Sequence, residues 1–314
     1  MVQENSLNKF AIVICGPTGS GKSKLAYNLC ERFNGEVVSA DSIAIYRGLD
    51  IGSAKPTEDE LSRLRHHMIN VADPKEDFSV AQYRDGGRAA VEDIFSRGKV
   101  PVVCGGTGYY IDSIFYDFSY GNCPKNDEFR EKCEEILTLY GAQRLHDMLK
   151  EVDPDSAATL HPNDSVRTIR ALEIYHATGT PKSQIKDDKK PIYPFFAFSY
   201  EYDRAVLYQR INKRVDAMFD QGLLGEVENL LSQGVEPSAQ SMQGIGYKEV
   251  VDGLLNNYSL DDIKELVKRN TRRYAKRQIT WFKRFDNITF LKPDEDLNSI
   301  ITLIEEKIYG KASD

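Results

Sequence analysis

The stretch GPTGSGKS, from Gly16 to Ser23, most constrains what this chain can fold into. It matches the pattern G-x-x-x-x-G-K-[ST], in which a glycine-rich loop joins a buried strand to a helix. The flanking residues supply that context, because the apolar run FAIVIC precedes the stretch and KSKLAYNLCERF follows with apolar residues at helical spacing. The sequence therefore predicts a strand, a phosphate-binding loop and a helix.

The residue types of this loop suit a phosphate anion. Glycines let successive backbone N–H groups face one point at a helix N-terminus, where the helix dipole favours negative charge. Lys22 adds a mobile positive charge, and the Ser23 hydroxyl can reach a Mg²⁺ ion. We expect a diphosphate or triphosphate here; the alternative is a glycine-rich turn with an incidental lysine. The predicted phosphate-binding residues are Gly16, Pro17, Thr18, Gly19, Ser20, Gly21, Lys22 and Ser23, with Ser23 as the predicted metal ligand.

Strands and helices alternate in the first third of the chain. Short β-rich runs at Glu36–Ser39 and Val100–Cys104 predict strands, and helical spacing covers Val80–Arg97 between them. Such alternation is typical of a parallel α/β sheet. The second run leads into GGTG rather than into an acid, which weakens the interpretation as a nucleotide hydrolase, since those enzymes normally hold magnesium through such an acid.

The pattern changes between residues 119 and 190. Helical spacing covers Asp127–Lys150 and Ser165–Ala177, without a clear strand between them, and Tyr193–Tyr200 (YPFFAFSY) then restores strand character. We therefore predict an α/β fold with a P-loop NTPase-like parallel sheet flanked by helices, built from residues 1–118 and 191–314. Residues 119–190 are predicted to form an all-helical insertion domain.

Charge is segregated along the chain. The net charge of −7 and the pI of about 5.4 argue on average against a nucleic-acid partner. Between Lys268 and Arg284, however, there are eight Lys or Arg and no acid, with Tyr274, Trp281 and Phe282 interleaved. A helix of this kind can combine phosphate contacts with base stacking. The alternative is a solvated basic helix that pairs with the acidic remainder of the chain.

Asp41 is the carboxylate best placed for chemistry. It follows the strand Glu36–Ser39 within SADS, at the end of a strand where open α/β sheets place their ligands. The side chain could act as a general base. The alternative is an N-cap or turn aspartate, and the residues alone leave both interpretations open.

The five cysteines show no zinc-binding spacing, and we expect them to be reduced thiols. The polar start of the chain and the short apolar run after it predict neither a signal peptide nor a membrane span. We accordingly expect a cytoplasmic protein without a membrane partner.

Seven segments together carry a resemblance to a known family. They are GPTGSGKS, SADSIAIYRGLDIGSAKP from Ser39, GGTGYY from Gly105, PNDSVRTIRALEIY from Pro162, QRINKRVDAMFDQGLLGEV from Gln209, MQGIGYKE from Met242 and TRRYAKRQITWF from Thr271. In this order they resemble the tRNA dimethylallyltransferase (isopentenyl-tRNA transferase) family, and the likeness covers nearly the whole chain.

The resemblance implies an activity and a set of catalytic residues. The phosphate loop would hold the diphosphate of dimethylallyl diphosphate, with Mg²⁺ as cofactor. Thr107 and Arg210 would help to grip it, and Arg214, one turn later, would be their companion. Asp41 would take a proton from the exocyclic N6 amine of the adenosine 3′ to the anticodon, which must be flipped out of its loop.

The resemblance also implies how tRNA is held by a protein that we expect to be a monomer. The insertion domain would grip the anticodon stem-loop, and the basic helix would bind phosphates. The predicted tRNA-binding residues are Asp41, Ser42, Ile43, Ala44, Arg130, Val166, Arg167, Thr168, Ile169, Arg170, Gln243, Gly244, Ile245, Gly246, Tyr247, Lys248, Arg272, Arg273, Lys276 and Arg277.

Three other functions share parts of this pattern. A small-molecule or nucleoside kinase would use the loop for ATP and Asp41 for a hydroxyl, but would leave the basic helix without a role. A prenyltransferase that acts on free AMP would need neither the insertion nor that helix. A non-catalytic RNA-binding module would leave the phosphate loop without one.

Overall fold

The computed structural model describes residues 9–117, 123–185, 190–285 and 287–310. The chain divides into two compact units, of which the first comprises Met1–Phe115 and Tyr193–Asp314 and the second comprises Tyr116–Ile192. The predicted insertion began at Ser119, which lies outside the described residues.

The first unit is built on a six-stranded sheet in the order β3-β2-β4-β1-β5-β6, with every paired neighbour parallel. Its strands are β1 (Ala11–Cys15), β2 (Gly35–Ala40), β3 (His66–His67), β4 (Val100–Gly105), β5 (Phe195–Tyr200) and β6 (Ile288–Leu291). All residues of β1 and β2 are buried, as expected for strands covered by helices on both faces. The predicted fold class, a parallel sheet flanked by helices, is confirmed.

Helices surround the sheet and make up the second unit. They are α1 (Lys22–Phe33), α2 (Glu58–Arg63), α3 (Val80–Ser96), α4 (Gly108–Phe115), α5 (Asp127–Val152), α6 (Pro154–Thr159), α7 (Ser165–Thr178), α8 (Arg204–Asp220), α9 (Leu223–Ser232), α10 (Tyr247–Leu255), α11 (Leu260–Phe282) and α12 (Leu297–Tyr309). Across the described segments, none of these helices has both the length and the apolar character to cross a membrane.

Local sequence explains where several helices begin. Ser79 accepts a hydrogen bond from the Gln82 amide, and the Gln82 side chain accepts one from the Ser79 amide, so a capping box starts α3. Ser259 caps α11, which has Asp261 and Asp262 in its first turn. The predicted basic helix is thus the C-terminal part of a longer helix whose acidic start suits the helix dipole.

The register of the sheet brings three loops together at one edge. Gly105 at the end of β4 lies opposite both Cys15 at the end of β1 and Ala40 at the end of β2. Because the strands are parallel, the segments that follow them emerge side by side at the carboxyl edge of the sheet. These segments are the glycine-rich loop, the turn at Asp41 and the GGTG segment.

The second unit has a core of its own. Leu145 and Leu149 of α5 pack with Ile169 and Leu172 of α7, all of them buried. α5 contains a break at Gly141, whose φ of 79° is in the left-handed region that glycine tolerates.

Candidate active site

A hydrogen bond joins the two ends of the loop between β1 and α1. Lys22 folds back so that its Nζ donates a hydrogen bond to the Pro17 carbonyl, at 2.7 Å. Gly19 and Gly21 have φ values of 78° and 89°, and a side chain at Gly19 would also press on Ile211. The predicted strand, loop and helix are confirmed, and the loop has the conformation that glycine makes possible.

Two partly buried cations lie at this loop. Burial, together with the neighbouring Arg214, lowers the pKa of Lys22 to about 8. Burial also lowers the pKa of Arg214. In the part of the chain that the structure describes, the buried Nε of Arg214 has no hydrogen-bond partner. An anion between the two side chains would relieve both desolvation penalties.

Arg210 is hydrogen-bonded to the backbone of the same loop. Its Nε donates to the Gly19 carbonyl at 2.8 Å, and its guanidinium lies 5.1 Å from the ring centre of Tyr202. The Tyr202 hydroxyl in turn donates to the Ser20 carbonyl at 3.0 Å. Arg210 is therefore held at the phosphate loop while it stays exposed.

Asp41 uses one carboxylate oxygen to hold a turn. Its Oδ1 accepts hydrogen bonds from the amides of Ile43 at 2.8 Å and Ala44 at 3.2 Å. Oδ2 accepts none among the described residues. The carboxylate is close enough to Lys22 and Arg214 to raise the pKa of each against the lowering by burial. The turn interpretation and the general-base interpretation are thus compatible, because each uses a different oxygen.

Thr107 joins two of the loops. Its amide donates to the Ala40 carbonyl at 3.1 Å, and its Oγ1 accepts a hydrogen bond from the Ser42 amide at 3.1 Å. The GGTG segment and the turn at Asp41 are therefore held against each other through the backbone amide and the side chain of this one residue.

A cavity of about 550 Å³ lies over these loops. Of the predicted site residues, it is lined by Thr18, Gly19, Gly21, Lys22, Ser23, Asp41, Ser42, Ile43, Ala44, Arg214, Gln243, Gly244, Ile245, Gly246 and Arg277. Phosphate loop, carboxylate and part of the predicted tRNA-binding set thus share one space, although they come from distant parts of the chain.

Four residues of α11 that line the cavity were not among the predicted site residues: Val267, Thr271, Tyr274 and Gln278. Tyr274 lies in the cavity wall near Asp41, and burial raises the pKa of its phenol to about 12. Gln278 is buried, accepts a hydrogen bond from the Thr18 amide and donates one to the Gly106 carbonyl. In the sequence, three of these positions could have been found from the uncharged face of the basic helix, because Thr271, Tyr274 and Gln278 recur at helical spacing.

Some predicted tRNA-binding residues of the first unit have internal roles. Arg272 is half-buried and donates to the Asn212 side chain at 2.7 Å. Tyr247 is buried, and its hydroxyl donates to Glu226 at 2.6 Å. The predicted positions that remain exposed in this unit's later segments are Gln243, Lys248, Arg273, Lys276 and Arg277.

The predicted tRNA-binding residues of the second unit differ in their burial and in their hydrogen-bond partners. Arg130 and Arg170 both pair with the buried carboxylate of Glu173. Thr168 and Ile169 are buried, so their side chains do not face solvent. The neighbouring positions that face solvent are Val166 and Arg167.

Comparisons with known proteins point to one family. The sequence model of the family described as IPP transferase matches residues 44–285. A tRNA dimethylallyltransferase of Caldanaerobacter subterraneus subsp. tengcongensis is 47% identical over 289 residues, covering 90% of this chain and 92% of that protein. One of Halalkalibacterium halodurans is 41% identical over 304 residues, covering 96% of each.

Comparison with solved structures points to the same family. The tRNA isopentenylpyrophosphate transferase of Bacillus halodurans superposes with a TM-score of 0.72 at 41% identity, covering 97% of each chain. A eukaryotic dimethylallyltransferase acting on tRNA superposes with a TM-score of 0.81 at 31% identity, covering 96% of this chain and 78% of that one. The kinase, AMP-prenylating and non-catalytic alternatives gain no support from these relatives. The chain is therefore an enzyme of the IPP transferase family, whose relatives here are tRNA dimethylallyltransferases.

Proposed function

We propose that this enzyme transfers a dimethylallyl group from dimethylallyl diphosphate to the N6 amine of the adenosine 3′ to the anticodon in tRNA. The observation that carries the proposal is the single cavity in which Lys22 and Arg214 lie near the Asp41 carboxylate. The arrangement offers a place for a leaving anion and a base for the attacking amine.

The reaction needs both parts because neither reactant is strongly activated. The amine nitrogen forms a bond to the allylic carbon while the bond from that carbon to the diphosphate oxygen breaks. Diphosphate leaves with the bonding electron pair, and the amine loses one proton. Oδ2 of Asp41 is the free acceptor for that proton, because Oδ1 is engaged by the amides of Ile43 and Ala44.

The leaving diphosphate is stabilised by charges that are already in position. Lys22 and Arg214 are half-buried cations whose pKa values are lowered by burial, and Arg210 is hydrogen-bonded to the loop at Gly19. Such preorganised charge stabilises developing negative charge without reorganisation during the reaction.

The residues present fit a Mg²⁺ ion. The Ser23 side chain is exposed in the first turn of α1, next to Lys22. A hydroxyl, the diphosphate oxygens and water form the oxygen donor set that Mg²⁺ prefers. When bound, the ion supplies further neutralisation of charge on the diphosphate.

The tRNA substrate fits the distribution of exposed positive charge. Arg273, Lys276 and Arg277 are exposed on α11, and Arg277 also lines the cavity. Phosphate contacts there would place an unpaired base near Asp41, and base-modifying enzymes bring their target out of the stack in this way.

The test is transfer of radiolabel from dimethylallyl diphosphate, with Mg²⁺, to unmodified tRNA, an anticodon stem-loop and free AMP in parallel. We expect label in tRNA and in the stem-loop but not in AMP. Label in AMP alone would support the AMP-prenylating alternative. Absence of label together with ATP turnover would support a kinase.

A further inference from the structure

A single side chain connects the basic helix to both glycine-rich segments of the site. Oε1 of Gln278 accepts the hydrogen bond of the Thr18 amide at 2.9 Å, and Nε2 donates to the Gly106 carbonyl at 2.9 Å. The amide orientation follows from its partners, since an N–H group requires the oxygen and a carbonyl requires the nitrogen. The side chain is 5% exposed, so both bonds are sheltered from water.

The backbone around this bridge leaves no room for side chains at two of its glycines. A Cβ at Gly106 would overlap Nε2 of Gln278, and a Cβ at Gly108 would overlap the indole of Trp281. The glycines of the GGTG segment therefore allow α11 to lie directly against it. Trp281 thus packs on the first residue of α4, so the helix is held at a second point one turn later.

The same stretch of α11 has two differently composed faces. Gln278 and Tyr274 face the cavity, whereas Arg273 and Lys276 are exposed. Any ligand that binds the exposed cations acts on a helix whose inner side is bonded to Thr18 of the phosphate loop. A rigid element with contacts at both sites is a physical route for energetic coupling between them.

We propose that Gln278 is a positioning residue that couples tRNA binding on α11 to diphosphate binding in the phosphate loop; this inference rests on the proposed function. The amide holds the loop at Thr18, and thereby sets the conformation in which the following amides and Lys22 meet the anion. We expect positive coupling, in which bound stem-loop raises the affinity for diphosphate. Because coupling of two binding sites is reciprocal, bound diphosphate then raises the affinity for stem-loop by the same factor.

The experiment is calorimetric titration of the full-length protein with inorganic diphosphate and Mg²⁺, without and with saturating unmodified anticodon stem-loop. Inorganic diphosphate carries no dimethylallyl group, so no transfer occurs during the measurement. For the wild type we expect the stem-loop to tighten diphosphate binding by roughly fivefold or more. For Gln278→Met, which has similar volume but neither hydrogen bond, we expect about tenfold weaker binding. The effect of the stem-loop should vanish in this variant.

Gln82 offers a control away from the cavity. Its Oε1 accepts hydrogen bonds from the backbone amide and the hydroxyl of Ser79, both at 2.8 Å, at the start of α3. Gln82→Met therefore also removes two hydrogen bonds, but at a position that does not line the cavity, and should leave both the diphosphate affinity and the coupling as in the wild type. An equal loss in Gln82→Met, or wild-type coupling in Gln278→Met, would overturn the inference.

Gln278→Glu gives a second measurement, the pH dependence of diphosphate affinity, which a general loss of packing would not change. A neutral carboxylic acid has one donor and one acceptor, as the amide has, whereas a carboxylate lacks the donor for Gly106. Burial raises the pKa of such a carboxyl. The diphosphate affinity of Gln278→Glu relative to wild type should therefore recover as the pH falls from about 8 to about 6. A constant ratio would contradict the proposed role, even if Gln278→Met failed to fold. Transfer activity of the wild type, measured separately, tests the proposed function, so the two failures are distinguishable.

Discussion

In the proposed mechanism, Asp41 must meet two demands with one carboxylate. Oδ1 holds the turn that carries Ile43 and Ala44, and Oδ2 is left for the substrate. Asp41→Asn should separate the two, because the amide oxygen can still accept the turn hydrogen bonds but the group cannot take a proton. We expect kcat to fall about 10²- to 10⁴-fold while stem-loop affinity stays within about twofold. Single-turnover transfer and a binding titration would check this.

The contrast with Asp41→Ala completes that test. The alanine variant also loses the turn acceptor, so it should lose stem-loop affinity in addition to kcat. Near-normal turnover in either variant would remove Asp41 from the mechanism.

Lys22 should make diphosphate binding depend on pH. Burial lowers its pKa to about 8 in the free protein, and the protonated form is the one that attracts the anion. The protonated fraction falls as the pH rises through that pKa, so the affinity for diphosphate should fall roughly fivefold between about pH 8 and about pH 9. Titration of the wild type against pH measures this.

Lys22→Arg is the control for that pH dependence. An arginine keeps its charge throughout this range. Whatever its absolute affinity, the variant should show a flat profile between the same two pH values. A pH-dependent loss in Lys22→Arg would assign the titration to another group.

At the scale of elements, α11 carries both exposed cations and a cation that is bonded within the protein. Arg273, Lys276 and Arg277 are exposed, whereas Arg272 is engaged with Asn212. Replacing the three exposed residues with Gln should weaken stem-loop binding. It should also reduce the slope of log affinity against log salt concentration by about two, since each phosphate contact to a single strand contributes roughly 0.7. Filter binding over a salt series would measure both.

A matched set of charges controls for the total charge of the protein. Arg32, Lys292 and Lys307 are exposed elsewhere in the first unit. Their replacement with Gln removes the same charge and should leave the salt slope nearly unchanged. An unchanged slope in the α11 variant would instead assign that helix to pairing within the protein.

At the scale of the whole molecule, each of the two units has its own buried apolar cluster and its own buried carboxylate paired with cations, which is Glu36 in the first unit and Glu173 in the second. In the second unit, burial disfavours ionisation of Glu173, but hydrogen bonds from Arg130, the Asn126 amide and Arg170 outweigh it and lower the pKa to about 2. The stability that this carboxylate contributes is therefore present above its unfolded pKa of about 4.5. It is lost as the pH falls through about 2.

Glu173→Gln should therefore affect one unit selectively. Removal of the charge leaves two arginines facing a neutral partner in a buried site, which costs about 3 kcal/mol. We expect the second unit to unfold earlier in urea, while inorganic diphosphate binds the first unit with wild-type affinity at neutral pH. Hydrogen exchange resolved by segment, together with calorimetry, would test this. A weakened diphosphate affinity would show that the units depend on each other.

Local patterns predicted much of the fold. The helix at Lys22–Phe33 has the predicted bounds, and the strands at Glu36–Ser39 and Val100–Cys104 each extend by only one or two residues. In contrast, β3 and β6 were not predicted. Two and four residues are too few for a periodic pattern, and both strands are defined by their pairing with β2 and β5.

The sequence by itself determined three features of the site: the phosphate loop, an aspartate directly after a strand, and the basic segment Lys268–Arg284. Each of them depends on residues that are close together in the chain. The tertiary structure decided which residues these groups meet. The pairing of Gln278 with Thr18 spans 260 positions, and the burial of Tyr247 depends on Glu226. Hydrogen bonds and burial between distant segments depend on how strands and helices pack, and no local pattern of residues contains that information.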